Sequence, residues 1–172
     1  MERAAIEAVE HVAHPMGVNS VRKSLSDALG TTEFGMVYYE LEPGESFSGG
    51  LAHRHDDQEE VFYIVEGTTV FEIGAEREQV TVDAGEAIRV PPGEFQKGAN
   101  AGDERVVALG LGAPGRQHDW EELDVLLECP NCEAETVHDC LPVDSGEWQA
   151  ERIDLEATCQ ECGASISTTG AD

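Results

Sequence analysis

Positive charge is what this chain has least of. Its 172 residues carry 10 Lys and Arg against 36 Asp and Glu, a formal net charge of −26, and only Lys23 and Lys97 are lysine. Phosphate recognition depends on clustered cations that displace counterions, yet between Val125 and Asp172 the only basic residue is Arg152. Nucleic acid is therefore excluded as an expected partner. Long apolar runs are missing too: none approaches the roughly 20 residues needed to cross a bilayer, so no membrane partner is expected. The N-terminus also lacks the basic-then-apolar layout of a signal peptide. A cytoplasmic location is the expectation. The acidity is not that of a disordered chain, because apolar residues reach 40% and fall in strand-like blocks, and the acids are spread along the chain rather than gathered in a tail.

What is present is concentrated in HRHDDQEEVFYIVEG, from His53 to Gly67. Side chains along a strand alternate between faces, so His53 and His55 point the same way and Arg54 the other. That gives two imidazoles for one ion. Glu60 follows His55 by five residues, an odd offset that would place it on the wrong face of one continuous strand. The polar Asp56, Asp57 and Gln58 are therefore expected to turn the chain, so that Glu60 re-enters from the neighbouring strand.

His-x-His, four residues, Glu, six residues and Gly resembles the first motif of the cupins, small β-barrels that hold a metal inside. The second motif of that family is nearly reproduced by Gly85, Pro91, Gly93 and Asn100, with Gln96 where histidine normally stands as the fourth ligand. Pro43-Gly44 resembles the turn before the first motif, although Gly49 and Gly50 sit later than the family pattern. The resemblance spans residues 36 to 112. It implies a metal held by His53, His55 and Glu60, with Gln96 binding loosely or only hydrogen-bonding in the pocket. Two histidines and a carboxylate with open positions suit Fe(II), Mn, Ni, Co or Zn. It also implies a small-molecule ligand and a homodimer. The opposing reading is a barrel that kept its fold and lost its metal.

The charge balance resembles that of acidic proteins from salt-accumulating, haloarchaeal-type halophiles. Self-repulsion of this size destabilises a compact fold unless salt screens it, and the screening length falls from roughly 10 Å at 0.1 M to about 3 Å at 1 M.

Between Phe34 and Gly112 the sequence predicts a jelly-roll barrel, that is, a cupin-type double-stranded β-helix in an all-β fold. Its strands are Met36 to Leu41, Val61 to Val65, Thr69 to Ile73, Gln79 to Val82, Ala87 to Val90 and Val106 to Leu111, separated by Gly, Pro and acidic turns. Phe62 and Ile64 should face inward with Glu60, leaving Val61, Tyr63 and Val65 outward against another sheet or subunit. Tyr38, Tyr39 and Gln96 are candidates for lining the pocket, and Phe95 for a wall at its mouth. Upstream, Ile6, Val9 and Val12, then Val21, Leu25 and Leu29, recur at helical spacing, with Ser20 as a possible N-cap and Gly30 as a stop. Short N-terminal helices are expected.

Past Gly115 the chain changes character. Cys129-Pro-Asn-Cys132 and Cys159-Gln-Glu-Cys162-Gly163 are two C-x-x-C knuckles 26 residues apart, a pattern that resembles a zinc ribbon holding one tetrahedral Zn2+. Gly163 fits the tight turn after its knuckle, and Glu133 takes the equivalent place in the first. Val143 to Gln149 is expected to loop out. A segment of about 45 residues gains only ~3–5 kcal/mol from a core, against roughly 10–16 from a structural zinc, so the metal would fold it. Disulfides are disfavoured in a reducing cytosol. Cys140 reads as a small buried hydrophobe and His138 as a structural polar residue.

The expected organisation is thus an N-terminal helical arm (1–33), a barrel (34–115), a linker (116–125) and a zinc ribbon (126–172). Three classes of function remain open: a metal-dependent enzyme on a small polar substrate, a non-catalytic small-molecule sensor or store, and an adaptor that docks through the ribbon. Fold alone does not choose among them.

Overall fold

The computed structural model describes residues 1–12, 19–47, 50–143 and 155–168. The expected loop from Val143 to Gln149 lies almost wholly outside them. Among these residues thirteen strands form two antiparallel sheets. The first, of five strands, contains β1 (Val21–Ser24), β2 (Gly35–Leu41), β4 (Glu59–Glu66), β7 (Ala87–Val90) and β9 (Val106–Ala113), in the order β1-β2-β9-β4-β7. The second, of eight, contains β3 (His53–His55), β5 (Thr68–Ile73), β6 (Glu78–Asp83), β8 (Gln96–Ala99), β10 (Leu123–Cys129), β11 (Ala134–Pro142), β12 (Leu155–Cys159) and β13 (Ser165–Thr168), in the order β13-β12-β11-β10-β3-β8-β5-β6. This is the cupin-type double-stranded β-helix, with strands β10 to β13 of the cysteine-rich segment continuing one of its sheets.

All six expected barrel strands form, each within two residues of its predicted ends. Alternation on β4 is as read: Phe62 and Ile64 are 2% and 0% exposed, Tyr63 and Val65 41% and 43%. The inward residues meet those of the facing sheet in a core of Tyr39, Leu41, Phe47, Phe62, Ile64, Phe71, Val82, Val106 and Ala108. Three phenylalanines dominate it, with Phe47–Phe62 and Phe62–Phe71 ring centroids 4.9 and 5.2 Å apart. Emptying one such site by Phe→Ala costs about 3–5 kcal/mol. Gly98 on β8 has to be glycine, since a Cβ there would lie 2.4 Å from Phe71 and 2.7 Å from Phe47. Strand β8 was not expected, because Gln96-Lys-Gly-Ala shows no apolar alternation.

The N-terminal reading needs correction. Ile6–Ala8 is one 3-10 turn, and Val21 opens strand β1 instead of a helix. The α-helix (α1) spans only Leu25–Leu29, and its N-cap is Ser24, whose hydroxyl accepts from the Asp27 amide at 3.2 Å. Ser20 donates its hydroxyl to Glu45 instead. Gly30 does stop the helix, at φ +66°. Pairing with β2 overrides the helical spacing, because it satisfies the backbone of Val21–Ser24 along a ready sheet edge. Among the described residues no helix is long and apolar enough to cross a membrane.

Two turns of the barrel clip the motifs together. Gly93, at φ +79°, donates its amide to the His55 carbonyl at 2.9 Å. The buried Asn100 amide donates to the carbonyls of Leu41 and Glu104 at 2.9 and 2.8 Å.

Candidate metal centre

Strand β3 is only three residues long, yet it sets the site. His53 and His55 are both buried on its inner face, while Arg54 leaves by the other, where it donates to Asp124 at 2.6 Å and lies 5.1 Å over the Phe95 ring. His53 Nδ1 lies 3.0 Å from the Leu51 carbonyl. A carbonyl can only accept, so Nδ1 carries the proton and Nε2 turns its lone pair inward, the tautomer a metal ligand needs. Glu60 arrives from β4, in the facing sheet. The turn at Asp56 to Gln58 therefore carries the chain across the barrel, not to an adjacent strand of the same sheet. One ligand atom from each of His53, His55 and Glu60 falls within 4.8 Å of the others.

Gln96 sits directly opposite His53 in the ladder and is 1% exposed. Its amide nitrogen donates to Glu60 Oε2 at 2.8 Å and lies 3.0 Å from His53 Nε2, tying together two of the three candidate ligands. Gln96 Oε1 and His55 Nδ1 are buried without a hydrogen-bond partner. Each such atom costs about 1–3 kcal/mol, and two beside one small cluster fit a donor set built for an ion. Two imidazoles, a carboxylate and an amide oxygen are chemically suited to a divalent first-row metal. Burial raises the Glu60 carboxyl above its usual range, against the pull of His53 and the Gln96 hydrogen bond. Burial, then the neighbouring His53 and His118, push His55 down to about 2, which keeps its imidazole neutral and free to ligate.

The site opens into a cavity of about 230 Å³. Tyr39 lines it, but Tyr38 does not; alternation turns Tyr38 outward, where its hydroxyl donates to Glu40 at 3.0 Å. Phe95 is also displaced from the expected mouth, packing outside the barrel with Ala52 and Leu126. Gly110 and Gly112 keep β9 bare beneath the cavity, where a Cβ would meet Tyr39 at 3.0 Å and Gln58 at 3.2 Å respectively. His118 and Trp120 were missed. The His118 ring stands 4.5 Å from His55 and 4.8 Å from Trp120, and burial lowers the His118 pKa. Both come from the stretch read as a linker. Two cavity-forming residue types in an otherwise acidic connector were the available signal.

The second cluster is the four cysteines. Cys129 and Cys162 sulfurs are 3.6 Å apart, Cys132 and Cys159 3.9 Å. A tetrahedron with Zn–S of 2.3 Å has edges of ~3.8 Å, so the spacing suits one zinc and is far too long for a disulfide. The turns behave alike: Glu133 and Gly163, at φ +53° and +72°, donate their amides to Cys129 and Cys159 at 2.9 Å. The Thr136 hydroxyl draws Cys159 down to about 6, and hydrogen bonding with Cys162 pushes Cys132 up to about 12. Cys140 and His138 stay outside this group. Both are buried; burial raises the Cys140 thiol to about 11, and His138 Nδ1 lies 2.9 Å from the Thr136 carbonyl.

The unit is not separate from the barrel wall. Strand β10 pairs with β3, setting Leu123 against His55 and Val125 against His53. Leu123, Val125, Cys140 and Leu155 line the same cavity as the histidines.

Residues 37–112 match the family model described as a cupin domain. Comparison with curated proteins gives no match. Among solved structures, a polyketide cyclase from Streptomyces resistomycificus superposes with a TM-score of 0.61 at 20% identity, covering 77% of this chain and 90% of its own. A sugar phosphate isomerase of the cupin superfamily from Silicibacter pomeroyi gives 0.58 at 19% identity, covering 98% and 94%. A conserved protein with a double-stranded β-helix domain from Klebsiella pneumoniae gives 0.52 at 18%, covering 68% and 94%. Residues 37–112 thus match the cupin domain model, and the strand order is that of a double-stranded β-helix.

Proposed function

We propose that the barrel is a metal-dependent site that acts on or binds a small molecule, with His53, His55 and Glu60 holding a divalent transition metal and the four cysteines a structural zinc. The observation that carries this is the convergence of three donors, two buried histidines from β3 and the half-buried Glu60 from the facing sheet, on the wall of one cavity. Such an ion would polarise a bound oxygen or lower the pKa of water. The chain's own part is to hold His53 in its ligating tautomer, keep His55 neutral, and exclude bulk water with Phe62, Leu123 and Val125. Gln96 stays close enough to hydrogen-bond whatever lies between His53 and Glu60.

A non-catalytic sensor is the second reading, favoured by the amide at position 96 in place of a stronger donor. Turnover of a substrate panel under anaerobic Fe(II) loading separates the two. Neither the isomerase nor the cyclase selects between them, since the same barrel carries both activities. Within this reading the protein is cytoplasmic, adapted to high salt, and a homodimer; the exposed Tyr63 and Val65 on one outer sheet face support the last point.

Elemental analysis of protein purified in molar KCl tests the assignment. Two metals per chain are expected. Cys129→Ser with Cys132→Ser should remove the zinc, and His53→Ala with His55→Ala should empty the barrel while zinc stays. A histidine double variant that keeps the full metal content of the wild type would overturn the barrel assignment.

A further inference from the structure

Arginine is scarce in this chain and almost fully committed. Among the described residues Arg54, Arg77, Arg89, Arg105 and Arg116 each form an ion pair with a carboxylate. Apart from the exposed Arg3, Arg22 is the one described arginine that forms none, although acids outnumber bases 36 to 10. It lines the cavity instead. Its ladder partner on β2 is Tyr39, so the two side chains share the inner face, and the guanidinium acts directly on the Tyr39 hydroxyl.

The charge of the cavity differs from that of the chain around it. Its lining holds two arginines, Arg22 and Arg116, against two carboxylates, Asp27 and Glu60. Arg116 is spent on Asp27, at 2.9 Å, and Glu60 belongs to the histidine cluster. Among the described residues Arg22 is left without a carboxylate partner, in the same space as the candidate metal ligands. A guanidinium offers planar, paired donors matched to carboxylate or phosphoryl oxygens. The volume of about 230 Å³ lies below the roughly 300–1,000 Å³ of drug-sized sites, which restricts the occupant to a compact metabolite.

We propose that the barrel takes a small oxyanion-bearing molecule whose carboxylate or phosphoryl group is held by Arg22, with the Tyr39 hydroxyl beside it, and whose other end reaches the His53, His55 and Glu60 cluster. The Arg22 contact stands on its own; only the second contact rests on the metal reading above.

Isothermal titration of folded full-length protein in molar KCl tests it, with malonate, inorganic phosphate and the neutral malonamide as probes, on metal-free and cobalt-loaded samples. Malonate or phosphate should bind once per chain and malonamide should not; the tighter of the two names the anionic group. Arg22→Gln should weaken that binding at least tenfold and Arg22→Lys less, with cobalt content unchanged in both. Wild-type affinity in Arg22→Gln, equal binding of malonamide, or no binding of either anion to the wild type would overturn the proposal. Equal anion affinity with and without cobalt would leave the Arg22 anchor standing and remove the metal from ligand contact.

Discussion

Gln96 is the residue on which the strength of the barrel site turns. In its present conformation the amide nitrogen donates toward His53 and Glu60, holding two ligands together while contributing no lone pair to an ion. An imidazole in its place would offer a nitrogen donor from the strand directly opposite His53. Gln and His are close in volume, so the buried position should accept the change. Gln96→His is therefore expected to tighten divalent-metal binding at least tenfold, or about 1.4 kcal/mol, in titrations with Mn, Ni and Zn, and to lower any turnover by filling an open coordination position. A barrel that had lost its metal would show no difference between the two proteins. His53, His55 and Glu60 were legible in the sequence because strand alternation is a local rule. His118 was not, since it lies some sixty residues beyond His55 in the chain and reaches it only through the way the chain returns into β10.

At the scale of elements, the decisive event is the pairing of β10 with β3. It places Gln96, His53, Val125, His138 and Cys159 in one row of ladder partners across five strands, on the same face of the sheet. Three strand spacings of ~4.8 Å put the Cα atoms of His53 and Cys159 roughly 14 Å apart. A second link runs on the opposite face: Gln160, inside the second knuckle, donates to Asp124 at 2.9 Å, and Asp124 accepts from Arg54, which sits between the two histidines. The sequence marked a change of composition near Gly115 and both knuckles, but it could not give this register, because ladder partners are chosen by contacts far apart in the chain. Asp124→Ala should strip Arg54 of its main partner, lower stability by about 1–3 kcal/mol, and loosen the barrel ion severalfold with both histidines intact. Unchanged barrel affinity in this variant, measured by titration, would mean that the knuckles and the barrel work independently despite their shared sheet.

For the molecule as a whole, folding has to contend with its own charge. The ion pairs of the described residues engage only a minority of the carboxylates, and most of these pairs are partly exposed, where each contributes about 0–1 kcal/mol. They cannot offset the repulsion among acids in a chain of net charge −26. Mobile ions can, since a screening length of about 3 Å at 1 M leaves little interaction between carboxylates on separate strands. If screening restores ~5 kcal/mol, the unfolding temperature of a domain this size should climb by roughly 10–20 °C between dilute buffer and molar KCl. Salt also strengthens apolar burial, so the same scan in sucrose supplies the control: an excluded osmolyte favours compactness without screening charge. A steep rise in KCl and a shallow one in sucrose, followed by circular dichroism with zinc held constant, is the expected pair of curves. Equal rises would assign the effect to burial alone, and a flat KCl curve would show that the carboxylates are far enough apart to be harmless in dilute buffer.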